Sequence, residues 1–202
     1  MTIPRILTSM LAVVLAVAIS AGAADKKKDK PKAKTIKLKD IKLTIPGDWK
    51  QEQPKSRLRV GQFKVPAVKG DKEGAELAIF FFGGDGGGAD ANIRRWIGQF
   101  QTKGRKSRVT QGKSPQGQYV VLDITGTYNK PIGPPVLRNT RPTPGSRMLA
   151  VILAVEKKGN YFLKLTGPAK TVASAATAFR QSFGGNAKAE KAYGEDSKKK
   201  GD

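Results

Sequence analysis

Residues 148–183 read MLAVILAVEKKGNYFLKLTGPAKTVASAATAFRQSF, and the succession of patterns in them decides the fold. Met148 to Val155 is an apolar run of strand length, and Tyr161 to Thr166 is a second. Glu156-Lys157-Lys158-Gly159-Asn160 between them suits the connection of a hairpin. After Gly167 the period changes. Pro168 fits the first position of a helix, and Val172, Ala175, Ala176, Phe179 and Phe183 then share one helical face until Gly184-Gly185 stops it. A hairpin followed by a helix with one apolar face implies a sheet on which that helix packs.

Upstream of this stretch the same reading continues. Tyr119 to Ile124 makes another strand and Ser107 to Lys113, around Val109, a weaker one. Before them a helix is expected, with Asp90 as its N-cap and Ile93, Trp96, Ile97 and Phe100 as its apolar stripe. Ala75 to Phe82 reads as a central strand, and Leu58 to Val65 as a strand with an irregularity near Gly61, ended by Pro66. Thr35 to Ile45 alternates apolar residues with lysines, the pattern of strands with one face buried, and leads into the turn Pro46-Gly47-Asp48. The segment from Tyr128 to Arg147 holds five prolines and no clear period, and is expected as a long crossing loop. Strands, helix, strands, helix is the α+β order: a mainly antiparallel sheet of about six or seven strands with two principal helices packed on it.

That order carries a resemblance. The strand leading into Ile45-Pro46-Gly47-Asp48-Trp49, the middle helix, the long crossing segment, the last hairpin and Tyr161-Phe162-Leu163-Lys164-Leu165-Thr166-Gly167-Pro168 before the C-terminal helix resemble the PsbP-like fold. This fold is shared by a photosystem II extrinsic subunit, a Ran-binding nuclear transport factor and many exported bacterial proteins of unknown role. The resemblance spans residues 35–185 and implies an α/β/α sandwich. Its members are mostly accessory or binding proteins without a common catalytic site, so it brings no catalytic residue to this chain.

The two ends read differently from the middle. Arg5, an uncharged run from Ile6 to Ile19, and Ala21-Gly22-Ala23 form the three parts of a secretory signal, so residues 1–23 are expected as a signal peptide. An uncleaved anchor is the alternative, because the run to Ala24 approaches the ~20 residues that span a bilayer. Cleavage would leave no transmembrane span and an exported chain, periplasmic or extracellular. Residues 24–34, with few apolar side chains, are expected as a disordered basic linker, and residues 186–202 as a disordered charged tail. Such lysine-rich ends act either as an electrostatic tether or as solubilising linkers.

Composition limits the chemistry. The 202 residues contain no cysteine and no histidine, which removes disulfides, thiol nucleophiles, Cys or His zinc sites and a histidine base. Ten acids lie scattered singly through residues 35–185, and Asp123, between Leu122 and Ile124, either faces solvent or is buried with a partner. The glycine run Gly83 to Gly88 lacks the Gly-Lys-Ser/Thr of a phosphate loop, and it stands in an antiparallel context without the acid a dinucleotide site needs. Asp85 and Asp90 lack the further ordered oxygens of a calcium loop. No catalytic, cofactor or metal residue is therefore assigned.

Charge is the stronger signal. Lys and Arg number 38 against 16 acids, a net +22 that favours a polyanionic partner or surface. From Ala91 to Val155 eleven bases meet the single acid Asp123. Arginine's planar fork grips phosphate or carboxylate at two points, so Arg94, Arg95, Arg105, Arg108, Arg138 and Arg141 form the candidate anion or partner surface. Nucleic acid is not the expected partner, because Trp96, Phe100 and Tyr119 read as core rather than as stacking platforms, and because export separates the chain from it. The expected function is an exported, non-catalytic binding or accessory domain docking on an anionic envelope component or protein partner. The alternatives are a structural subunit that makes contact through its sheet face, and an enzyme with a site free of His and Cys.

Overall fold

In the computed structural model, described for residues 31–54 and 56–194, the chain begins with a hairpin, β1 (Lys34–Leu38) and β2 (Ile41–Ile45). There follow β3 (Lys50–Gln51), β4 (Arg59–Val65), β5 (Ala75–Phe81) and α1 (Ala89–Ile97). Next come β6 (Lys106–Ser114), β7 (Gly117–Pro131), β8 (Thr140–Val155), β9 (Gly159–Pro168), α2 (Ala169–Ser182) and β10 (Lys191–Ala192). The main sheet has the order β10-β6-β7-β8-β9-β5-β4-β3 and every pairing is antiparallel. Six of its strands are long, and β3 and β10 contribute two residues each. The class is the expected α+β. The signal and most of the linker, residues 1–30, lie outside the described residues, as do residues 195–202. Among the described residues no helix is long and apolar enough to cross a membrane.

The alternation of side chains along the strands explains the layering. Leu77, Ile79, Val121, Leu149, Val151, Leu163 and Leu165 point to one face, where Val172 and Phe179 of α2, Phe183 at its C-cap and Ile41, Leu43 and Ile45 of β2 cover them. Leu122, Ile124, Met148, Ala150, Ile152 and Phe162 point to the other, under Ile93 and Trp96 of α1. Met148 to Leu153 is buried without a break because both faces of β8 are covered, and this is why it lacks a polar alternation. The irregularity read near Gly61 is a register shift in the β4–β5 pairing.

Four local expectations are corrected. The N-cap of α1 is Gly88, and Asp90 sits inside the first turn. The glycine turn before it is a packed element: Asn92 Nδ2 donates to the carbonyls of Gly86 and Gly88, and Asn160 N donates to Gly84 O at 2.8 Å. A side chain at Gly159, which holds φ 97°, would stand 2.3 Å from that same carbonyl. Second, α1 stops at Ile97, so Phe100 belongs to the following segment and packs on Tyr128 at 5.1 Å between ring centres.

Third, the proline-rich segment is not a loop. β7 and β8 pair to Pro131 and Thr140, beyond the end of β6 opposite Thr125 and of β9 opposite Ser146, making a two-stranded arm. The bond from Ile132 N to Asn139 O at 3.0 Å sets the alternation of the ladder. Pro142, opposite Asn129, therefore falls at a non-hydrogen-bonded rung, with its nitrogen turned to the edge that β9 has vacated. A missing N–H removes no bond there. Fourth, residues 186–194 are folded rather than disordered. Arg180 clamps Glu190 at 2.7 Å with both side chains largely shielded from solvent, Tyr119 Oη accepts from Asn186 N, and β10 adds to the edge of β6.

Candidate functional site

α1 covers only part of its face of the sheet. Beside it lies a cleft of about 890 Å³, with β4, β5 and β9 as its floor. The base of the arm forms one wall and the segment from Lys72 to Gly74 the other. A second hollow of about 220 Å³, beside Gly47 and α2, is small, and Asp48 is the one acidic or basic side chain that lines it.

On the floor is Lys164. It stands on β9 directly between Ala78 of β5 and Ala150 of β8, and the two small neighbours leave its long side chain room to lie in the sheet face. Its amine donates to Gln99 Oε1 at 2.9 Å, its one hydrogen bond among the described residues. An ammonium has three donors, so the neutral amide leaves capacity for a ligand. Burial, reinforced by the nearby positive charges of Arg95 and Arg59 and opposed by Glu76, pushes the Lys164 amine down to about 8.

The other charges of the cleft are arranged around that amine. Arg59 Nη1 donates to Glu76 Oε1 at 2.8 Å and to Gln62 Oε1 at 2.6 Å, and its guanidinium lies over the Phe80 ring at 5.4 Å. Gln62 Nε2 passes the network on to Glu52. Lys130 reaches Glu73 across the mouth at 3.5 Å. Each acid of the cleft thus has a protein partner, whereas Lys64 and Lys72 at the rim have no ion pair among the described residues. Burial raises the Tyr128 hydroxyl, so the phenol stays protonated. The floor is cationic, the end walls are polar, and Ala75, Ala78, Phe80, Pro131, Pro144 and Pro168 supply apolar surface.

None of the six arginines singled out from the sequence lines this cleft. Arg94 and Arg95 are exposed in the last turn of α1, and Arg95 bonds Asn92 Oδ1. Arg105 is half-buried and donates to Ile97 O at 3.1 Å and Phe100 O at 3.3 Å, closing the C-terminus of α1. Arg108 is exposed on β6 opposite Asp123, but that carboxylate is taken by Arg147 at 2.8 and 2.6 Å. Arg138 and Arg141 are exposed on the outer arm. Among the described residues none of the six is ion-paired. Of these, Arg95 is the one whose charge acts on Lys164.

Lys164, Arg59, Gln99 and Tyr128 escaped the sequence reading. The signal for Lys164 was present: one lysine in the apolar run YFLKLTG, on the same strand face as Phe162, has no room to be a solvent-face residue if both faces are covered.

No family model matches the chain, and no curated protein matches it. It is similar to the solution structure of cyanobacterial PsbP (CyanoP) from Synechocystis sp. PCC 6803, 14% identical, with 80% of this chain and 93% of that one covered and a TM-score of 0.46. It is also similar to the crystal structure of a Pseudomonas aeruginosa protein of unknown function, 18% identical, with 74% of this chain and 92% of that one covered and a TM-score of 0.39.

Proposed function

We propose that the chain is an exported, non-catalytic binding domain that takes the carboxylate group of an anionic ligand in the lysine-floored cleft, with its basic outer surface drawing negative partners toward it. The single observation that carries this reading is Lys164, an enclosed amine held by one neutral amide in a cleft whose acids are already engaged. A volume of about 890 Å³ is of the order that drug-sized ligands occupy. With its amine near 8, roughly nine in ten Lys164 side chains are protonated at pH 7, so the cleft presents a cation rather than a nucleophile. The uncompensated charge of residues 91–155 supports a steering role, and the apolar run with Ala21-Gly22-Ala23 supports export.

The test is calorimetric titration of the chain with a homologous series of carboxylates and their methyl esters, which keep the shape and remove the charge. Acids are expected to bind and esters not to, Lys164→Met is expected to bind neither, and affinity for acids should fall as pH rises through 8. Equal binding of acid and ester, or unchanged affinity in Lys164→Met, would overturn the reading.

A further inference from the structure

The tip of the arm breaks the rule that exposed turns are polar. Pro131-Ile132-Gly133-Pro134-Pro135-Val136-Leu137 is a run without one polar side chain, and it closes the hairpin through a 3-10 turn at Pro135–Leu137. Val136 is 84% exposed, Leu137 59% and Ile132 42%. Immediately behind this cap stands a basic collar. Arg138 follows Leu137, and Lys130 faces Arg141 directly across the arm, so two like charges share one rung. Like charges directly opposite each other repel; Glu73 offsets Lys130 at 3.5 Å, whereas Arg141 has no ion pair among the described residues. From Ile124 to Val155 there is no acid at all.

We propose that this tip inserts into the interface of an anionic lipid bilayer, with Ile132, Val136 and Leu137 entering the acyl boundary while Arg138 and Arg141 hold lipid phosphates. Three features favour lipid over a protein partner. The patch is the end of a projecting hairpin, not a flat or concave face. Its apolar side chains are aliphatic, whereas protein hot spots concentrate Trp, Tyr and Arg and under-represent Leu and Val. The third is the backbone. Lipid penalises unpaired N–H groups. Three of the seven residues are proline and have none, and two of the four N–H groups that remain, those of Ile132 and Leu137, bond Asn139 O and Pro134 O at 3.0 and 3.1 Å. An apolar cap with cations set just behind it is the arrangement of interfacial anchors, in which hydrophobic burial and attraction to anionic headgroups act together. The proposal is independent of the cleft, whose lining reaches toward the tip no further than Pro131.

The experiment uses the chain purified from an exporting host, its N-terminus read by mass spectrometry, with vesicles of phosphatidylcholine alone or mixed with phosphatidylglycerol. Wild type is expected to co-sediment with the anionic vesicles only. The double variant Val136→Asp/Leu137→Asp should lose at least about tenfold in affinity, since charge placed at the cap must enter the acyl boundary. Arg138→Gln/Arg141→Gln should bind more weakly with a shallower salt dependence. Trp49 and Trp96 are buried, so Leu137→Trp gives a clean third fluorophore, expected to shift to the blue and to be quenched by brominated acyl chains. Lys164→Met should bind vesicles as wild type does, which separates this outcome from that of the cleft. Vesicle binding that survives Val136→Asp/Leu137→Asp would overturn the proposal in favour of adsorption by the lysine-rich ends. No vesicle binding by wild type would overturn it too and leave the tip to a protein partner.

Discussion

On one face of the sheet α2 runs for fourteen residues and, with the β1–β2 hairpin, covers the strands under an unbroken apolar layer. On the other, α1 runs for nine residues, ends at Ile97, and leaves the region over β4, β5 and β9 open. Both faces come from alternate residues of the same strands, so the difference is not one of sheet composition. It lies in the cover. A short helix followed by an extended segment that pairs with the arm, through Asn129 N to Gln99 O and Gln101 N to Thr127 O, makes a wall where a longer helix would have made a lid. The sealed face serves stability, and the half-covered face leaves room for Lys164.

The largest effect that tests this contrast is truncation of one large side chain on each side. Phe179 of α2 is fully buried against one face of the sheet, and Trp96 of α1 packs edge-on against Phe162 at 6.2 Å on the other. Each change to Ala should cost about 3 to 5 kcal/mol, measured by denaturant melting. Their functional consequences should differ. Trp96→Ala loosens the helix that leads into Gln99, the partner of Lys164, and should weaken carboxylate binding in the protein that remains folded. Phe179→Ala should leave that binding unchanged. Equal effects on binding would show that the two faces are not separate in function.

Second in size is the charge on the open face. An amine at about 8 in the folded chain, against about 10.5 unfolded, means that the native state holds fewer protons between those values, so stability rises with pH across that window and is lowest below it. From pH 7 to about pH 9.5 the wild type should gain about 2 kcal/mol through this group, before tyrosine ionisation intervenes. Lys164→Met should be more stable than wild type at pH 7 by about 2 kcal/mol and should lack the alkaline gain. Parallel pH profiles for the two chains in urea would mean that the amine is solvated, and the contrast between the faces would lose its electrostatic half.

How far these two faces were legible in the sequence follows from the kind of signal each left. The strands of the core appear through period and through the unbroken run Met148 to Leu153, since burial on one or both faces writes itself into side-chain type. The arm did not appear because proline normally marks the end of pairing, and what permits it here is a matter of which rung each proline occupies. The C-terminal segment reads as solvated because its docking depends on single contacts, Glu190 with Arg180 and Asn186 with Tyr119, rather than on an apolar stripe. The cleft was hidden for a related reason. Its residues come from five elements far apart in the chain, and a lone lysine within an apolar run shows its meaning only when both of its cross-strand neighbours prove to be alanine.

The smallest predicted effect separates cations that build the open face from cations that merely surround it. Arg105 donates to two carbonyls at the end of α1, so Arg105→Gln should cost about 1 kcal/mol, the ordinary net value of a hydrogen bond. Arg94 and Arg108 are exposed and unpaired among the described residues, so Arg94→Gln/Arg108→Gln should change stability by no more than about 0.5 kcal/mol. Attraction should follow the opposite order. The double variant removes two solvent-facing charges and should slow association with an anionic partner at low salt while leaving the rate unchanged at high salt. Arg105→Gln removes a charge already turned toward α1 and should affect that rate less. Stopped-flow association at two ionic strengths, beside urea melts of the same proteins, decides the matter. A slower salt-sensitive rate in Arg105→Gln than in the double variant would place the steering charge at the α1 terminus and not on the exposed surface.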